Sequence, residues 1–237
     1  MDSVKLLISG GKLTSALLLA VASAATPAFC GEVGLLGLYQ VDDAGRYAEA
    51  LKGLERSVGD RGCAVRREGE IATMDGSLKV AKSNRFLLLE CTGSLLKESA
   101  TRVVFEPLGA ATNHLMLAEG ELDRLGGSGF CPPGIGREYI IKVSHYNNRD
   151  PEQRDRDLTA IQHQVAARPD RYRTEAIITP SRAMGMTTPD EVVVLYYDDS
   201  KSGDRFRKNN GDILEKIGAF NKSHLVEFAY FSASSTR

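Results

Sequence analysis

The 237-residue chain carries 30 Lys and Arg against 31 Asp and Glu, a formal net charge of -1, and 42% hydrophobic residues. That composition belongs to an ordinary soluble globular protein and argues against a disordered, fibrous or membrane-embedded chain. With the basic residues balanced by acidic ones, the counterion release that drives nonspecific nucleic-acid binding is weak, so no nucleic-acid partner is expected.

Residues 1–30 read as a secretory signal peptide. A short basic region (Lys5, Lys12) precedes an apolar stretch from Leu13 to Ala25, and small residues follow in Thr26-Pro27-Ala28-Phe29-Cys30. The stretch is too short for a bilayer span of about 20 residues, and residues 16–22 lack the polar face of an amphipathic helix. The protein is therefore expected to be exported, periplasmic or secreted, with no membrane contact after signal removal. In an oxidising compartment Cys63, Cys91, Cys131 and, if it survives processing, Cys30 read as a disulfide framework. No two of them have zinc-ligand spacing. Cys63 and Cys91 each fall on a predicted strand, which favours a bridge between them. No metal and no cofactor are expected.

The N-terminal α+β domain, 31–125, opens with a strand at Val33 to Val41. A helix over Ala44 to Val58 follows, capped by Asp42 or Asp43, with Tyr47, Leu51, Leu54 and Val58 on one stripe. The pattern then turns strand-rich: Cys63 to Met74, an Asp75-Gly76 hairpin turn, Leu78 to Ala81, Arg85 to Cys91, Arg102 to Glu106 and His114 to Glu119. The run Gly126 to Gly136, with five glycines and two prolines in eleven residues, marks a linker over 126–137. It matches neither of the common phosphate-cradling glycine motifs.

In the C-terminal domain, 138–237, a strand from Tyr139 to His145 puts Tyr139, Ile141, Val143 and His145 on one face and Ile140, Lys142 and Ser144 on the other. Asp150 and Pro151 open a helix that runs to about Ala167. Next come a strand at Tyr172 to Thr179, a long loop through Pro180, Met184 and Met186, and a strand at Glu191 to Tyr197. A helix over Asp204 to Phe220 and a strand at Leu225 to Phe231 complete the half.

The order strand, helix, strand, strand, helix, strand resembles the ferredoxin-like superfold, whose members include dimeric α/β barrels built from paired sheets. The resemblance implies an α+β fold of antiparallel sheets with helices on one face. For the first half two readings stand: a second, decorated ferredoxin-like unit with a short helix at Ser94 to Ala100, or one helix on a curled antiparallel sheet. The first makes the chain a tandem of two such units and is preferred.

No nucleophile elbow, cysteine-protease context or histidine pair at metal-ligand spacing is present. Strand parity instead gathers Lys142, Ser144, Arg173, Glu175, Glu227 and Tyr197 on the sheet face that helices leave open. Of these, Lys142, Arg173, Glu175, Tyr197 and Glu227 form a candidate ligand-binding face, for a small ligand or for a second copy in a homo-oligomer. A plain set of cross-strand ion pairs is the simpler alternative. His145 and His224, near strand ends, are the candidate catalytic residues. Two functions are compatible with this picture. One is a noncatalytic binding or interaction protein. The other is an enzyme of the dimeric α/β-barrel kind that acts on a small aromatic substrate or uses haem, with His145 or His224 as base or axial ligand.

Overall fold

The computed structural model describes residues 32–96, 101–123 and 136–236. The proposed signal, Cys30, Cys131 and most of the 126–137 linker lie outside the described residues. Eight strands close into one antiparallel barrel flanked by helices. The first half supplies β1 (Val33–Gln40), α1 (Ala44–Gly59), β2 (Cys63–Gly76), β3 (Arg85–Cys91), α2 (Thr101–Ala111) and β4 (Asn113–Asp123). The second supplies β5 (Glu138–Tyr146), α3 (Pro151–Ala166), β6 (Arg173–Met184), β7 (Glu191–Tyr197), α4 (Ser200–Asn209), α5 (Gly211–His224) and β8 (Leu225–Ser235). Around the barrel the order is β1-β3-β2-β8-β5-β7-β6-β4. Each half is a ferredoxin-like sheet, and the two halves join edge to edge along β2–β8 and β4–β6.

Those two seams show how closure is achieved. Each carries a register shift, between Ile71 and Thr73 on one and between Glu119 and Gly120 on the other. Such bulges sharpen strand twist and help an open sheet curl. Each also carries a glycine that no other residue could replace: a Cβ on Gly69 would strike the Ser234 carbonyl oxygen, and one on Gly120 the Thr179 carbonyl oxygen.

Barrel closure divides the interior into three packed regions. Inside the barrel lie Leu36, Leu38, Phe86, Leu88, Tyr139, Ile141, Val143, Val194 and Phe231, among others. Between α1, α2 and the first sheet lie Leu35, Tyr39, Leu54, Leu87, Phe105 and Leu117. Between α3, α4, α5 and the second sheet lie Ile161, Val165, Tyr197, Phe206, Ile213 and Phe220. The expected Cys63–Cys91 bridge is formed, and it joins register partners on β2 and β3.

The helix starts follow the capping logic of the sequence. Asp43 accepts from the Gly45 and Arg46 amides, and Asp150 accepts from Gln153 with Pro151 in the first turn. Several expected elements differ. The Asp75-Gly76 hairpin does not form, because β2 runs through to Gly76 against β8. Leu78, Val80 and Ala81 form no strand and pack instead, with Met186, against the barrel interior. The expected strand Arg102 to Glu106 is part of helix α2, and residues 94–96 of the expected helix at Ser94 to Ala100 are not helical. Val104, Phe105 and Leu108 reach the α1 layer at helical spacing, and that burial overrides the β-branched run. The expected helix Asp204 to Phe220 is two helices, broken where the buried Asn210 turns its side-chain amide back to the Phe206 carbonyl. The expected loop through Pro180 and Met184 is the second part of β6.

Candidate active site

Strand β5 alternates as its sequence predicts, but its faces point the other way from the expectation. Tyr139, Ile141 and Val143 enter the barrel. Lys142 lies under helix α5, with Nζ 5.3 Å from the centroid of the Phe220 ring and 5.9 Å from that of Tyr230. The open sheet face anticipated from the second half does not exist, because barrel closure turns it inward against the first half.

The helix-covered surface of the second sheet gathers a polar cluster. Lys142 is 9% exposed and Ser144 is fully buried. In the β5–β7 and β5–β8 registers Lys142 pairs with Val193 and Tyr230, and Ser144 with Glu191 and Phe228. Tyr146 hydrogen-bonds Glu191 and carries the Arg154 guanidinium 4.3 Å over its ring. Over this floor, α5 brings Phe220, Asn221 and His224. The Asn221 amide donates to the Tyr230 hydroxyl at 3.2 Å. His224 Nε2 lies 2.8 Å from an Asp157 carboxylate oxygen on α3. Asn221 is thus buried and engaged with Tyr230.

Burial dominates the electrostatics of this cluster. Burial holds the Lys142 ammonium below the ordinary lysine range, with the Glu191 carboxylate pulling weakly the other way. Burial also pushes the Tyr146 and Tyr230 hydroxyls up, and for Tyr146 the neighbouring Glu191 adds to the effect. The His224 contact holds the Asp157 carboxyl below its usual range, helped by Gln153. Lys142 has no ion pair among the described residues. The Ser144 hydroxyl has no hydrogen-bond partner there, and a buried polar atom in that state calls for a ligand or a water.

The other sequence candidates are dispersed. Arg173 is exposed and 3.5 Å from Asp198. Glu175 lies inside the barrel, its carboxylate 2.5 Å from the Arg67 guanidinium, which also donates to the Tyr139 hydroxyl. Tyr197 packs under α4 against Phe206 and Arg207, and burial pushes its hydroxyl up to about 12. Glu227 is exposed and stands opposite His145 in the β5–β8 register. Of the five ligand-face candidates only Lys142 belongs to the cluster. Of the two histidines only His224 does. Glu191, Asp157 and Asn221 were not singled out as site residues. Glu191 had a faint signal, as the polar first residue of the otherwise apolar strand Glu191 to Tyr197. Asp157 and His224 are 67 residues apart, and nothing local links them.

Outside this cluster, an open groove of about 780 Å³ runs beside the β4–β6 seam, lined by Glu32, Glu121, Asp123 and Arg182 among others.

No protein-family model and no curated protein matches the chain. Among solved structures it is similar to an anthrone oxidase-like protein, at 14% identity and TM-score 0.57, over 89% of this chain and 93% of that one. It is similar to a chlorite dismutase from Candidatus Nitrospira defluvii at 11% identity and TM-score 0.56, again over 89% and 93%. A heme-binding protein from Thermus thermophilus aligns at 10% identity and TM-score 0.51, over 87% and 92%. At these identities the likeness shows a shared fold: a tandem ferredoxin-like α+β barrel.

The haem named for one neighbour needs an axial ligand, most often a histidine nitrogen, facing room for a macrocycle. His224 offers neither, since its Nε2 is held by Asp157 and its ring lies 4.9 Å from that of Phe220. His114 is exposed. His163 sits beside Glu152, Asp155 and Arg156 in an open depression on α3. His145 stands opposite a carboxylate residue, Glu227, at the end of β5. None of these histidines is shown facing a space for a haem, and no haem site is assigned to them. Among the described residues no group of three or more His, Cys, Asp or Glu gathers to hold a metal.

Proposed function

We propose that the protein is an enzyme acting on a small aromatic substrate held between the second sheet and helices α3 and α5. Neither a haem nor a metal is assigned to it. The single observation that carries this reading is the buried Lys142 amine. It packs against two aromatic rings and, among the described residues, makes no ion pair, beside a Ser144 hydroxyl with no hydrogen-bond partner there. A protein built only for stability pairs or exposes such groups. In the proposed site Phe220 and Tyr230 contact the substrate ring, and Lys142 and Ser144 contact its polar substituent. Tyr146 with Glu191, and His224 with Asp157, are two hydrogen-bonded pairs able to pass a proton. The oxidase and dismutase names of the structural neighbours support an enzyme over a noncatalytic binding protein. The leader at residues 1–30 supports export, and the Cys63–Cys91 bridge is in keeping with it.

Turnover of a panel of hydroxylated and carbonyl-bearing aromatics by the purified mature protein tests the reading. Activity should be present in the wild type and fall by at least about tenfold in Lys142→Met, as expected for loss of a group that touches substrate. Absence of both binding and turnover across the panel, or full activity in Lys142→Met, would overturn it. Mass spectrometry of the secreted product should find the chain starting near residue 25 or 31. Recovery only of the intact chain inside the cell would refute export.

A further inference from the structure

We propose that Lys142 is a covalent nucleophile, and that the substrate class of this site is the small aromatic aldehyde or ketone, bound through an imine. The inference rests on the reading of the Lys142 cluster as an active site and adds the bond that would form there.

Three observations point to it. The first is the state of the amine. A lysine nucleophile must be neutral, and neutrality is favoured where an ammonium is desolvated and lacks a contacting carboxylate. Lys142 is buried beneath Phe220 and Tyr230 and makes no ion pair among the described residues. Other described lysines, such as Lys52 with Glu49 and Lys216 with Gln164, hold polar partners on the surface.

The second observation is the hydroxyl beside it. Ser144 lies two residues along the same face of β5, on the order of 7 Å between Cβ atoms, and its buried hydroxyl has no partner among the described residues. A carbonyl oxygen placed over Lys142 would receive that donor, which polarises the carbonyl for attack. The third is a carboxylate able to carry a proton. Glu191 is the register partner of Ser144 and hydrogen-bonds the Tyr146 hydroxyl.

The chemistry balances without oxidant or reductant. The lone pair of the Lys142 nitrogen forms a C–N bond at the carbonyl carbon. The C=O π pair moves to oxygen, which takes a proton, while the nitrogen loses one, to give a carbinolamine. The proton that the Lys142 ammonium gives up to become a neutral amine is taken by the Glu191 carboxylate and returned to the carbinolamine hydroxyl, which leaves as water. The nitrogen lone pair forms the C=N bond, giving the protonated imine.

Borohydride reduction of the folded, full-length mature protein with 4-hydroxybenzaldehyde tests the proposal, because it fixes an imine as a stable amine. Intact-mass and peptide mass spectrometry should show one adduct, on the peptide containing Lys142. Adduct yield at that peptide should drop by about tenfold or more in Ser144→Ala, which keeps the amine but removes the polarising donor. No adduct at this peptide should form in Lys142→Met or in Lys142→Arg, the latter retaining the positive charge, with folding of each checked by circular dichroism. Binding of 4-hydroxybenzyl alcohol, which has no carbonyl, is measured in parallel by calorimetry. If the alcohol binds and the aldehyde leaves no adduct, the covalent step is wrong and the aromatic site stands. If neither binds nor reacts, the site reading itself falls and the imine with it. Adducts spread equally over surface lysines, unchanged in Lys142→Met, would also overturn the proposal.

Discussion

Gly37 on β1 and Lys142 on β5 occupy matching positions in the two halves. Each lies on the first strand of its ferredoxin-like unit, four residues past the residue that pairs with the last residue of the third strand. In the first half the surroundings close up: a Cβ on Gly37 would meet a Leu117 methyl at 3.3 Å, and the layer above is filled by Tyr39, Leu87, Leu117 and Met184. The matching partners of Ser144 and Glu191 are Tyr39 and Arg85. Tyr39 is fully satisfied, hydrogen-bonded to Tyr47, which in turn donates to Glu68. One architecture thus holds a close-packed, mainly apolar layer in one half and a polar layer around a buried amine in the other. A duplicated fold needs only one chemically open site, and the second copy is free to serve as scaffold.

The sharpest way to break this comparison is to give the first half a lysine. Gly37→Lys places an unpaired ammonium in a close-packed apolar layer and is expected to destabilise by about 4 kcal/mol or more, through overpacking and charge burial together. Urea denaturation measures it, and a loss below about 1 kcal/mol would show the two layers to be less different than described.

The halves are also tied through the barrel centre. Strands β2 and β6 stand well apart around the barrel, and the Arg67–Glu175 pair crosses between them with side chains 4% and 1% exposed. Arg67→Met strips the buried Glu175 carboxylate of its ion-pair partner, leaving it the Tyr139 hydroxyl and the Arg137 charge, and is expected to cost about 3 kcal/mol, whereas the double variant Arg67→Met/Glu175→Leu should recover most of that loss. A double-mutant cycle checks it, and additive losses would mean the pair does not couple the halves.

In the second half the corresponding removal of charge should be mild. Lys142→Met eliminates a desolvated ammonium and should be neutral or stabilising by about 1 kcal/mol at neutral pH. The pH dependence has a definite sign. The folded-state pKa of Lys142 is lowered, so between that value and the ordinary one near 10.4 the unfolded chain holds more protons. Wild-type stability therefore gains from Lys142 as pH rises through that window, and the gain is absent in Lys142→Met. The charged and titratable neighbours Glu191, Tyr146, Tyr230 and His224 are common to both proteins. Parallel stability curves of the two from pH 7 to 10 would refute the assignment. The smallest effect belongs to Arg173→Ala, which breaks an exposed 3.5 Å pair with Asp198 and should change stability by no more than about 0.5 kcal/mol.

Much of the fold was legible because its signals are local. The caps at Asp43 and Asp150, the proline at 151, the strand Arg85 to Cys91, the strand Glu191 to Tyr197 and the order of elements in the second half all follow from neighbouring residues and periods of 2 or 3.6. The failures lie where a distant partner decides. Val103-Val104-Phe105 has strand propensity, and only the α1 surface makes it helical. The Asp75-Gly76 pair has hairpin chemistry, and only the unfilled edge of β8 keeps the strand running.

The candidate site shows the same division. The sequence by itself determined that Lys142 and Ser144 share one face of a strand and that Tyr139 and Ile141 share the other, because alternation is fixed by backbone geometry. It also determined that Cys63 and Cys91 sit on strands able to meet. Only the tertiary structure decided which face helices cover, since that depends on the first half closing the barrel against the second. It alone brought Phe220, Tyr230 and Glu191 around one amine. An amine's chemistry depends on what removes its water, and here the groups around it come from strands β7 and β8 and helix α5, brought together by packing rather than by spacing along the chain.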